Sequence, residues 1–342
     1  MTEPRLGPVL LTNDDGIDAP GLATLEAVAN DLGVEVWVVA PDHDQSGVSH
    51  ALSLHQPLRV TNRGSRRFSV SGTPGDCVAM AICELMPARP QLVLSGINKG
   101  ANLGRETAFS GTVGAAMAAL LMGLPAIALS QAFTRRDAVR WETARQLAPG
   151  VIRQLWAARW SPDACLNVNF PDVPADQAGP LQVTCQGRGR MHGLQVTGRT
   201  DLREQAYYWL NIKRDDTPDA PDSETAVLAG GGIAVTPLHF ERTAHEARVA
   251  LVEWLRKGEP GKILGAAEHI WKRQRGLARR VFQGGTSVKS MYWSDLFTPS
   301  RAGVRLNSEG RVRVTARPGI STTAPGQSGP HRVQSTHVPK ET

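Results

Sequence analysis

The stretch Val9-Leu10-Leu11-Thr12-Asn13-Asp14-Asp15-Gly16 decides the fold, because it is a short apolar run that ends at two adjacent carboxylates. Such a run, followed by turn residues and then a helical pattern, is typical of the first buried strand of a parallel α/β sheet. Asp14 and Asp15 would then lie at the carboxyl end of that strand. Ligands of open α/β sheets bind at this edge, so both aspartates are candidate functional residues.

Strand and helix patterns alternate after this first strand. Apolar residues recur at helical spacing from Leu22 to Leu32, and Thr73-Pro74-Gly75-Asp76 is a helix-start signature with Thr73 as the N-cap. Leu58–Thr61 and Arg67–Val70 predict a hairpin. Further strands are predicted at Val34–Ala40, Gln91–Ser95, Ala126–Ser130 and Cys165–Pro171. The alternation predicts an α/β fold with a mostly parallel sheet.

The pattern changes after about residue 180. Leu181–Thr184, Leu194–Thr197 and Arg203–Ile212 predict antiparallel strands or long hairpins. The Tyr207–Trp209 cluster in this part is more typical of a core or a subunit interface than of base stacking. Gly232–Thr236 predicts a strand, and Ala244–Leu255 predicts an amphipathic helix that closes the fold near residue 256.

The basic charge of the chain is confined to its last quarter. The formal net charge is +6, but Lys257–Thr342 holds 15 Lys and Arg against 5 Asp and Glu, a net charge of +10, which leaves −4 for residues 1–256. From about Pro299 the composition is dominated by Ser, Thr, Pro, Gly and Arg, which does not bury enough apolar surface to offset the entropy of ordering. We therefore predict a globular part at 1–256 and a basic, largely disordered tail at 257–342.

Membrane insertion and secretion are both disfavoured. Gly111–Phe133 carries no charge and is long enough to span a bilayer, but Gly123 and Pro125 divide it into a helix and a buried strand of an α/β core. The four cysteines show no Cys-x-x-Cys spacing, and the first residues lack a basic segment that leads into an apolar signal core. The expected location is the reducing cytoplasm.

Polar loops follow several of the predicted strands, and they suit a hard cation. Adjacent carboxylates repel each other unless a cation lies between them. Because Mg²⁺ and Mn²⁺ prefer oxygen ligands, Asp14 and Asp15 together with Ser46 and Asn98 form a candidate open metal site. Two alternatives remain: Asp-Asp-Gly can serve only a turn, and the histidines of the 41–50 loop would favour a softer metal.

A second candidate element is the helix start at Ser110-Gly111-Thr112. Hydroxyls and free main-chain N–H groups at a helix N-terminus can bind an anion, although Ser110 could serve only as an N-cap. The glycine-rich Gly96–Gly104 loop can likewise reflect backbone geometry alone. It lacks the Gly-Lys-[Ser/Thr] sequence of a Walker loop, and Lys99 is either a phosphate ligand or a solvated lysine.

These segments resemble the SurE-type survival-protein phosphatases, a family of metal-dependent 5′-nucleotidases. The resemblance covers residues 8–130 and weakens towards about 256. It is carried by five motifs in the family's order: Thr12-Asn13-Asp14-Asp15-Gly16-Ile17, Ala40-Pro41-Asp42 with Gln45-Ser46-Gly47, Ser71-Gly72-Thr73-Pro74-Gly75-Asp76-Cys77-Val78, Ser95-Gly96-Ile97-Asn98-Lys99-Gly100-Ala101-Asn102-Leu103-Gly104, and Ser110-Gly111-Thr112-Val113-Gly114-Ala115-Ala116.

The resemblance implies a Rossmann-like core at about 8–180, with helices on both faces of the sheet. It also implies a smaller hairpin-bearing part at about 181–256, which exchanges between subunits of a homodimer or homotetramer. The family's metal ligands match Asp14, Asp15, Ser46 and Asn98, with one divalent ion per subunit. Its phosphate-contacting positions match Asn102, Ser110, Gly111 and Thr112. The chain departs from the family at His43, Gln45 and Phe109, and the last of these replaces the usual Tyr.

The resulting hypothesis is hydrolysis of nucleoside 5′-monophosphates, with 3′-nucleotides and polyphosphate as further substrates found in the family. Mg²⁺ or Mn²⁺ would orient the phosphate and activate water, and either Asp14 or Asp15 would accept its proton. The alternative is a non-catalytic nucleotide or metal sensor on the same fold. Nucleic-acid binding by the basic tail is a weaker hypothesis.

Overall fold

The computed structural model of the chain describes residues 6–215 and 217–257, together with the backbone of 304–306 and 312–314. The chain divides into two compact units, Met1–Ala244 and His245–Thr342. The strands of the first unit are β1 (Val9–Thr12), β2 (Val36–Pro41), β3 (Val60–Gly64), β4 (Arg67–Val70), β5 (Leu92–Lys99), β6 (Ala126–Gln131), β7 (Cys165–Phe170), β8 (Leu181–Val183), β9 (Met191–Thr200), β10 (Ala206–Arg214) and β11 (Ile233–Leu238). Its α-helices are α1 (Pro20–Leu32), α2 (Pro74–Met80), α3 (Gly111–Leu121), α4 (Trp141–Ala158) and α5 (Glu224–Ala229).

Nine strands form one sheet in the order β3-β4-β2-β1-β5-β6-β7-β11-β8. The six strands from β4 to β7 are mutually parallel, whereas β3 and β11 run antiparallel to their neighbours β4 and β7. The predicted α/β fold with a mostly parallel sheet is confirmed.

The chain reverses its direction of travel across the sheet at β1. It proceeds from β1 outward to β2 and β4, and then returns to the other side of β1 to form β5. Such a switch point opens a crevice at the carboxyl ends of the two central strands. Asp14 and Asp15 follow β1, and Asn98 lies at the end of β5, so three of the four predicted metal ligands lie at this switch point.

Helices cover both faces of the sheet because side chains of a buried strand alternate between the faces. Val9 and Leu11 belong to the apolar cluster that contains α1 and α4. Leu10, between them, belongs to the cluster that contains α2 and α3. All three are fully buried, which is the pattern of a strand enclosed between two helical layers.

Two helix starts form as the sequence indicates. The Thr73 hydroxyl accepts a bond from the Asp76 N–H, and the Asp76 carboxylate accepts one from the Thr73 N–H, which completes a capping box on α2. Ser110 caps α3 by accepting a bond from the Val113 N–H. Gly111–Phe133 contains α3 and β6 as predicted, and no helix in the described part of the chain is long and apolar enough to span a membrane.

The strand predictions after residue 180 are correct in position and partly wrong in pairing. Strands β9 and β10 form a separate antiparallel hairpin. However, β8 is not antiparallel to its partner: Leu181–Val183 pairs in parallel with β11 at the edge of the main sheet. Alternating polarity identifies a strand but not the direction of its partner, which here is supplied by a segment fifty residues later.

The second unit begins with α6 (His245–Lys257), close to the predicted helix at Ala244–Leu255. It also contains a short antiparallel pair, β12 (Val304–Leu306) and β13 (Val312–Val314). The predicted disorder of the 257–342 tail otherwise lies outside the described residues.

Candidate active site at the end of β1

The turn after β1 is tightly built. The Asn13 side-chain amide donates a 2.8 Å hydrogen bond to the Gly16 carbonyl oxygen, which closes the turn on itself. Gly16 has a φ of +102°, and a Cβ at this position would lie 3.2 Å from the His43 carbonyl carbon. The turn therefore needs glycine both for its conformation and for its contact with the loop after β2.

Asp14 contacts the start of α3 directly. The Thr112 hydroxyl donates a 2.5 Å hydrogen bond to Oδ1 of Asp14. A Cβ on Gly111 would lie 2.7 Å from Cβ of Asp14, which is closer than two non-bonded carbon atoms approach. The first predicted metal ligand thus lies against two predicted phosphate-contacting residues, at the positive end of the α3 dipole.

The environment of Asp14 disfavours an isolated negative charge. The residue is only 4% exposed. The pKa of Asp14 is raised to about 7, mainly by burial; the hydrogen bond from Thr112 opposes this shift, and the adjacent Asp15 charge adds to it. A carboxylate in this environment is stabilised when a cation is bound to it.

Asp15 is held by the loop after β5. Its Oδ2 accepts a 3.2 Å hydrogen bond from the main-chain N–H of Lys99. Burial raises the pKa of Asp15, and the charge of Asp44 contributes in the same direction, whereas Lys99 and Arg136 lower it. Asp15 is therefore influenced by residues that follow or end three strands: Asp44 after β2, Lys99 at the end of β5 and Arg136 after β6.

The other two predicted metal ligands lie next to residues that bond to the aspartates. The Gln45 N–H donates a 2.7 Å hydrogen bond to the main-chain carbonyl oxygen of Asp14, and Ser46 is the next residue. Asn98 precedes Lys99, and its side-chain N–H₂ donates a 2.8 Å hydrogen bond to the Gly100 carbonyl oxygen. Ser46 is exposed and Asn98 is half-buried. The hydrogen bonds from Gln45 to Asp14 and from Lys99 to Asp15 thus bring both loops to the end of β1.

The residues at this edge fit a hard divalent cation. Their side chains offer two carboxylates, a hydroxyl and an amide oxygen, which are the donors that Mg²⁺ and Mn²⁺ prefer. Among residues 6–215 and 217–257, no group of three or more His, Cys, Asp and Glu side chains is placed to hold a metal ion. A site with only two acidic ligands must therefore rely on neutral oxygen donors and on substrate oxygens.

Asn102 lies in a buried asparagine network. Its side-chain N–H₂ donates a 2.9 Å hydrogen bond to the Ser130 hydroxyl, and its main-chain N–H donates one of the same length to Oδ1 of Asn169. The Asn102 carbonyl oxygen accepts bonds from the amides of Asn167 and Asn169. The loop at Asn102 is fixed to β6 and β7, and its contact with phosphate stays a prediction.

Two residues that contribute to the site, Ser49 and Arg136, were not predicted from the sequence. Ser49 joins the loop after β2 to the residues before α3, because its hydroxyl donates a 2.5 Å hydrogen bond to the Ala108 carbonyl oxygen and its N–H donates to that of Phe109. Arg136 acts on the Asp15 charge from the loop after β6. Its place after a parallel strand is the signal that could have found it. Phe109 itself is half exposed.

Comparison with known proteins gives a consistent result. Residues 9–193 match the family model described as survival protein SurE. The chain is 60% identical over 251 residues to 5′-nucleotidase SurE 1 of Burkholderia lata, a match that covers 73% of this chain and 97% of the relative. It is 46% identical over 246 residues to 5′-nucleotidase SurE of Brucella canis, covering 71% and 96%.

A solved structure agrees with the fold. The crystal structure of the SurE protein from Aquifex aeolicus superposes with a TM-score of 0.62 at 31% sequence identity, and the match covers 73% of this chain and 99% of that one. The family match includes the first strand, the aspartate pair and the start of α3. The chain belongs to the SurE survival-protein family.

Proposed function

We propose that this protein is a metal-dependent 5′-nucleotidase, which hydrolyses nucleoside 5′-monophosphates to a nucleoside and inorganic phosphate. One observation carries the proposal: the Asp14 carboxylate lies against Gly111 and accepts a hydrogen bond from Thr112 at the start of α3. A cation held by the aspartates and a phosphate held by the helix start would therefore be neighbours. The names of the relatives support the same activity.

Asp14, Asp15, Ser46 and Asn98 would hold one Mg²⁺ or Mn²⁺ ion in each subunit. When bound, this ion would orient the phosphate and lower the pKa of the attacking water. Asp14 and Asp15 are the two candidates to accept the proton of that water. Both residues follow β1 at the switch point of the sheet, where Asp14 is buried and Asp15 is partly exposed.

The start of α3 would stabilise the phosphoryl oxygens. The main-chain N–H groups of Gly111 and Thr112 lie in its first turn, where the helix dipole favours negative charge. The Ser110 hydroxyl caps the helix and contacts the Val113 N–H at 3.1 Å, and one hydroxyl can cap a helix and contact phosphate together. Asn102, which lies earlier in the same connection between β5 and α3, would bind the remaining phosphate oxygen.

A phosphate-release assay tests the activity. Purified protein with Mn²⁺ or Mg²⁺ should release phosphate from at least one nucleoside 5′-monophosphate, and EDTA should abolish the release. Absence of release from every nucleotide with both metals would overturn the proposal in favour of the non-catalytic sensor. The sensor is not favoured, because the curated relatives bear an enzyme's name. The same assay with 3′-nucleotides and polyphosphate would define the wider substrate range.

The β9–β10 hairpin is the proposed contact between subunits of a homodimer or homotetramer. It carries large apolar side chains that are mostly exposed: Val196 at 61%, Tyr208 at 69%, Trp209 at 58% and Leu210 at 65%. A ribbon with this much exposed apolar surface is typical of an interaction site.

We propose the cytoplasm as the location, because the four cysteines are all unpaired, as expected in a reducing compartment. For the basic 257–342 tail, nucleic-acid contact stays the weaker hypothesis. Salt-dependent DNA affinity that disappears when these residues are removed would support it, and equal affinity after their removal would overturn it.

A further inference from the structure

The segment between two proposed substrate contacts is held by side chains from distant parts of the chain. Gly104–Ala108 forms a short 3₁₀ helix that separates Asn102 from Ser110. The Gly104 N–H donates a hydrogen bond to the Glu224 carboxylate. The Gly104 carbonyl oxygen accepts a 2.8 Å hydrogen bond from the Gln186 side chain. The main-chain N–H and the carbonyl oxygen of Gly104 are therefore both hydrogen-bonded to side chains from outside the Gly104–Ala108 segment.

Glu224 connects two main-chain segments. Its side chain is fully buried, and its second carboxylate oxygen accepts a 2.7 Å hydrogen bond from the Gly187 N–H. A buried carboxylate that accepts main-chain N–H groups forms charge-assisted bonds, which are stronger than bonds between neutral groups. Glu224 thus holds Gly104 against the segment that leads into β9.

Gln186 strengthens the same junction. Its side-chain N–H₂ also donates a 2.8 Å hydrogen bond to the Thr107 hydroxyl, which in turn donates to the Gly104 carbonyl oxygen at 2.7 Å. Thr107 lies three residues before Ser110. Gln186 therefore fixes both ends of the 3₁₀ helix that leads into α3.

Gln186 and Glu224 project from two main-chain segments that are hydrogen-bonded to each other. The Cys185 N–H donates to the Asp222 carbonyl oxygen at 2.9 Å, and the Glu224 N–H donates to the Cys185 carbonyl oxygen at 3.2 Å. These bonds join the residues beside Gln186 to those beside Glu224. Because these two segments are joined, a displacement of Gln186 would also displace Glu224.

Contact at the junction is main chain against main chain. Gly104 has a φ of +51°, and a Cβ on it would lie 2.1 Å from the Gly189 nitrogen. A Cβ on Gly189 would in turn lie 2.5 Å from the Leu103 carbonyl oxygen. Because no side chain separates the two segments, a displacement of one is transmitted directly to the other.

We infer that Gln186 and Glu224, the Gly104 clamp, are positioning residues for the phosphate-contacting end of the site. The inference rests on the proposed function, and it adds that phosphate binding depends on residues about eighty to one hundred and twenty positions away from Gly104. In the described residues, neither clamp residue hydrogen-bonds to Asp14 or Asp15. The clamp therefore acts on substrate affinity and not on metal affinity.

Two clamp variants and one matched control test the inference. Glu224→Gln keeps the size of the side chain but replaces one acceptor oxygen by an N–H₂ group that meets a main-chain N–H. Gln186→Ala removes both bonds of the other clamp residue, in case the first variant fails to fold. Asp76→Asn is the control, because Asp76 is also a buried carboxylate that accepts two main-chain N–H groups, those of Ser53 and Thr73.

Four properties are measured in the full-length proteins: KM for a nucleoside monophosphate, apparent Mn²⁺ affinity, thermal stability, and hydrogen exchange of residues 103–110. Each clamp variant should raise KM at least about fivefold and accelerate exchange, with unchanged Mn²⁺ affinity. Asp76→Asn should lower thermal stability with KM and exchange unchanged. The inference is overturned if both clamp variants keep wild-type KM and exchange, if Mn²⁺ affinity falls when KM rises, or if the control raises KM equally.

A wild-type protein that releases no phosphate would overturn the proposed function and not the clamp. In that case, the affinity of the same four proteins for inorganic phosphate, measured by calorimetry, decides the positioning role. Weaker phosphate binding in the clamp variants alone supports it, and equal binding in all four proteins overturns it.

Discussion

Gly111 and Asp14 approach so closely that a methyl group on the glycine would lie 2.7 Å from Cβ of the aspartate. Backbone strain does not explain this glycine, because it lies in the first turn of α3. The reason for glycine is the space that the carboxylate occupies. The close approach places the helix start directly against the predicted metal ligand.

The first prediction tests this close approach. Gly111→Ala should lower activity strongly and cost about 1–3 kcal/mol of stability, because the methyl group displaces Asp14 or the helix start. The matched control is Gly150→Ala within α4, where an added Cβ meets no atom within 4 Å. The control should raise stability by about 0.5–1 kcal/mol and leave activity unchanged, since alanine is the better helix former. Chemical denaturation and phosphate release measure both effects.

The second prediction concerns the link between metal and stability. Mn²⁺ at about 100 times its Kd should stabilise the wild-type protein by about 2.7 kcal/mol, and EDTA should reverse the shift. Asp14→Asn should abolish this stabilisation and lower activity more than about 100-fold. Mutation of a residue that only hydrogen-bonds to a metal ligand already lowers metal affinity or activity by about 10–100-fold, and loss of a ligand itself should cost more. The metal-free variant should be no less stable than the metal-free wild type, since a buried charge is removed. A full metal-induced shift in Asp14→Asn would show that the metal site lies elsewhere.

Thr112 provides a third prediction. Thr112→Val keeps the shape of the side chain but removes the hydrogen bond to Asp14, and bonds to charged groups are worth about 1.5–3 kcal/mol. The value of kcat/KM should therefore fall about 10-fold or more. Thr112→Ser keeps the hydroxyl and should retain most of the activity. Equal losses in the two variants would show that the hydrogen bond to Asp14 does not by itself account for the effect.

The fourth prediction concerns thiol reactivity and its dependence on pH. Cys77 and Cys165 are buried, and burial raises the pKa of Cys165 to about 12, so neither should react in the folded protein. Cys185 is exposed, but a hydrogen bond and the negative charge of Asp222 raise its pKa. A raised thiol pKa lowers the thiolate fraction at a given pH, so the Asp222→Asn variant should label faster at Cys185 near neutral pH. Mass spectrometry of alkylated protein across a pH series measures this, and an unchanged pH profile would contradict it.

The hairpin surface gives the fifth prediction. Trp209→Lys should shift the protein towards a smaller oligomer in light scattering, because a charge is placed in the exposed apolar surface of β10. Gln195→Lys on β9 adds the same charge at an exposed polar position and should leave the mass unchanged. An unchanged mass in Trp209→Lys would remove the hairpin from the subunit contact.

The sequence predicts those features that depend on local patterns. Strand β1 ends before the aspartate pair as its apolar run indicates, and Thr73 forms its capping box because both partners lie within four residues. Parallel strands also bring their carboxyl ends to one edge, which is why Asp14, Ser46 and Asn98 could be grouped from sequence alone. The individual roles of these residues stay predictions.

The remaining features depend on partners that are distant in the chain. Glu224 reads as an ordinary helix-start residue after Ser223, and its partner Gly104 lies 120 residues earlier. The parallel pairing of Leu181–Val183 depends in the same way on β11. No periodicity or spacing marks such contacts, since they arise only when the sheet has brought the segments together.

The position of β11 between β7 and β8 has a consequence for how the protein is made on the ribosome. Strand β8 is synthesised long before β11, which is its only neighbour among the strands that the structure describes. Residues 181–183 therefore cannot take their place until residues 233–238 have emerged. Glu224 belongs to the same late stretch, so a nascent chain that already holds every predicted metal ligand still lacks the side chain that fixes Gly104. Activity should therefore arise late in synthesis, with the closing of the sheet edge.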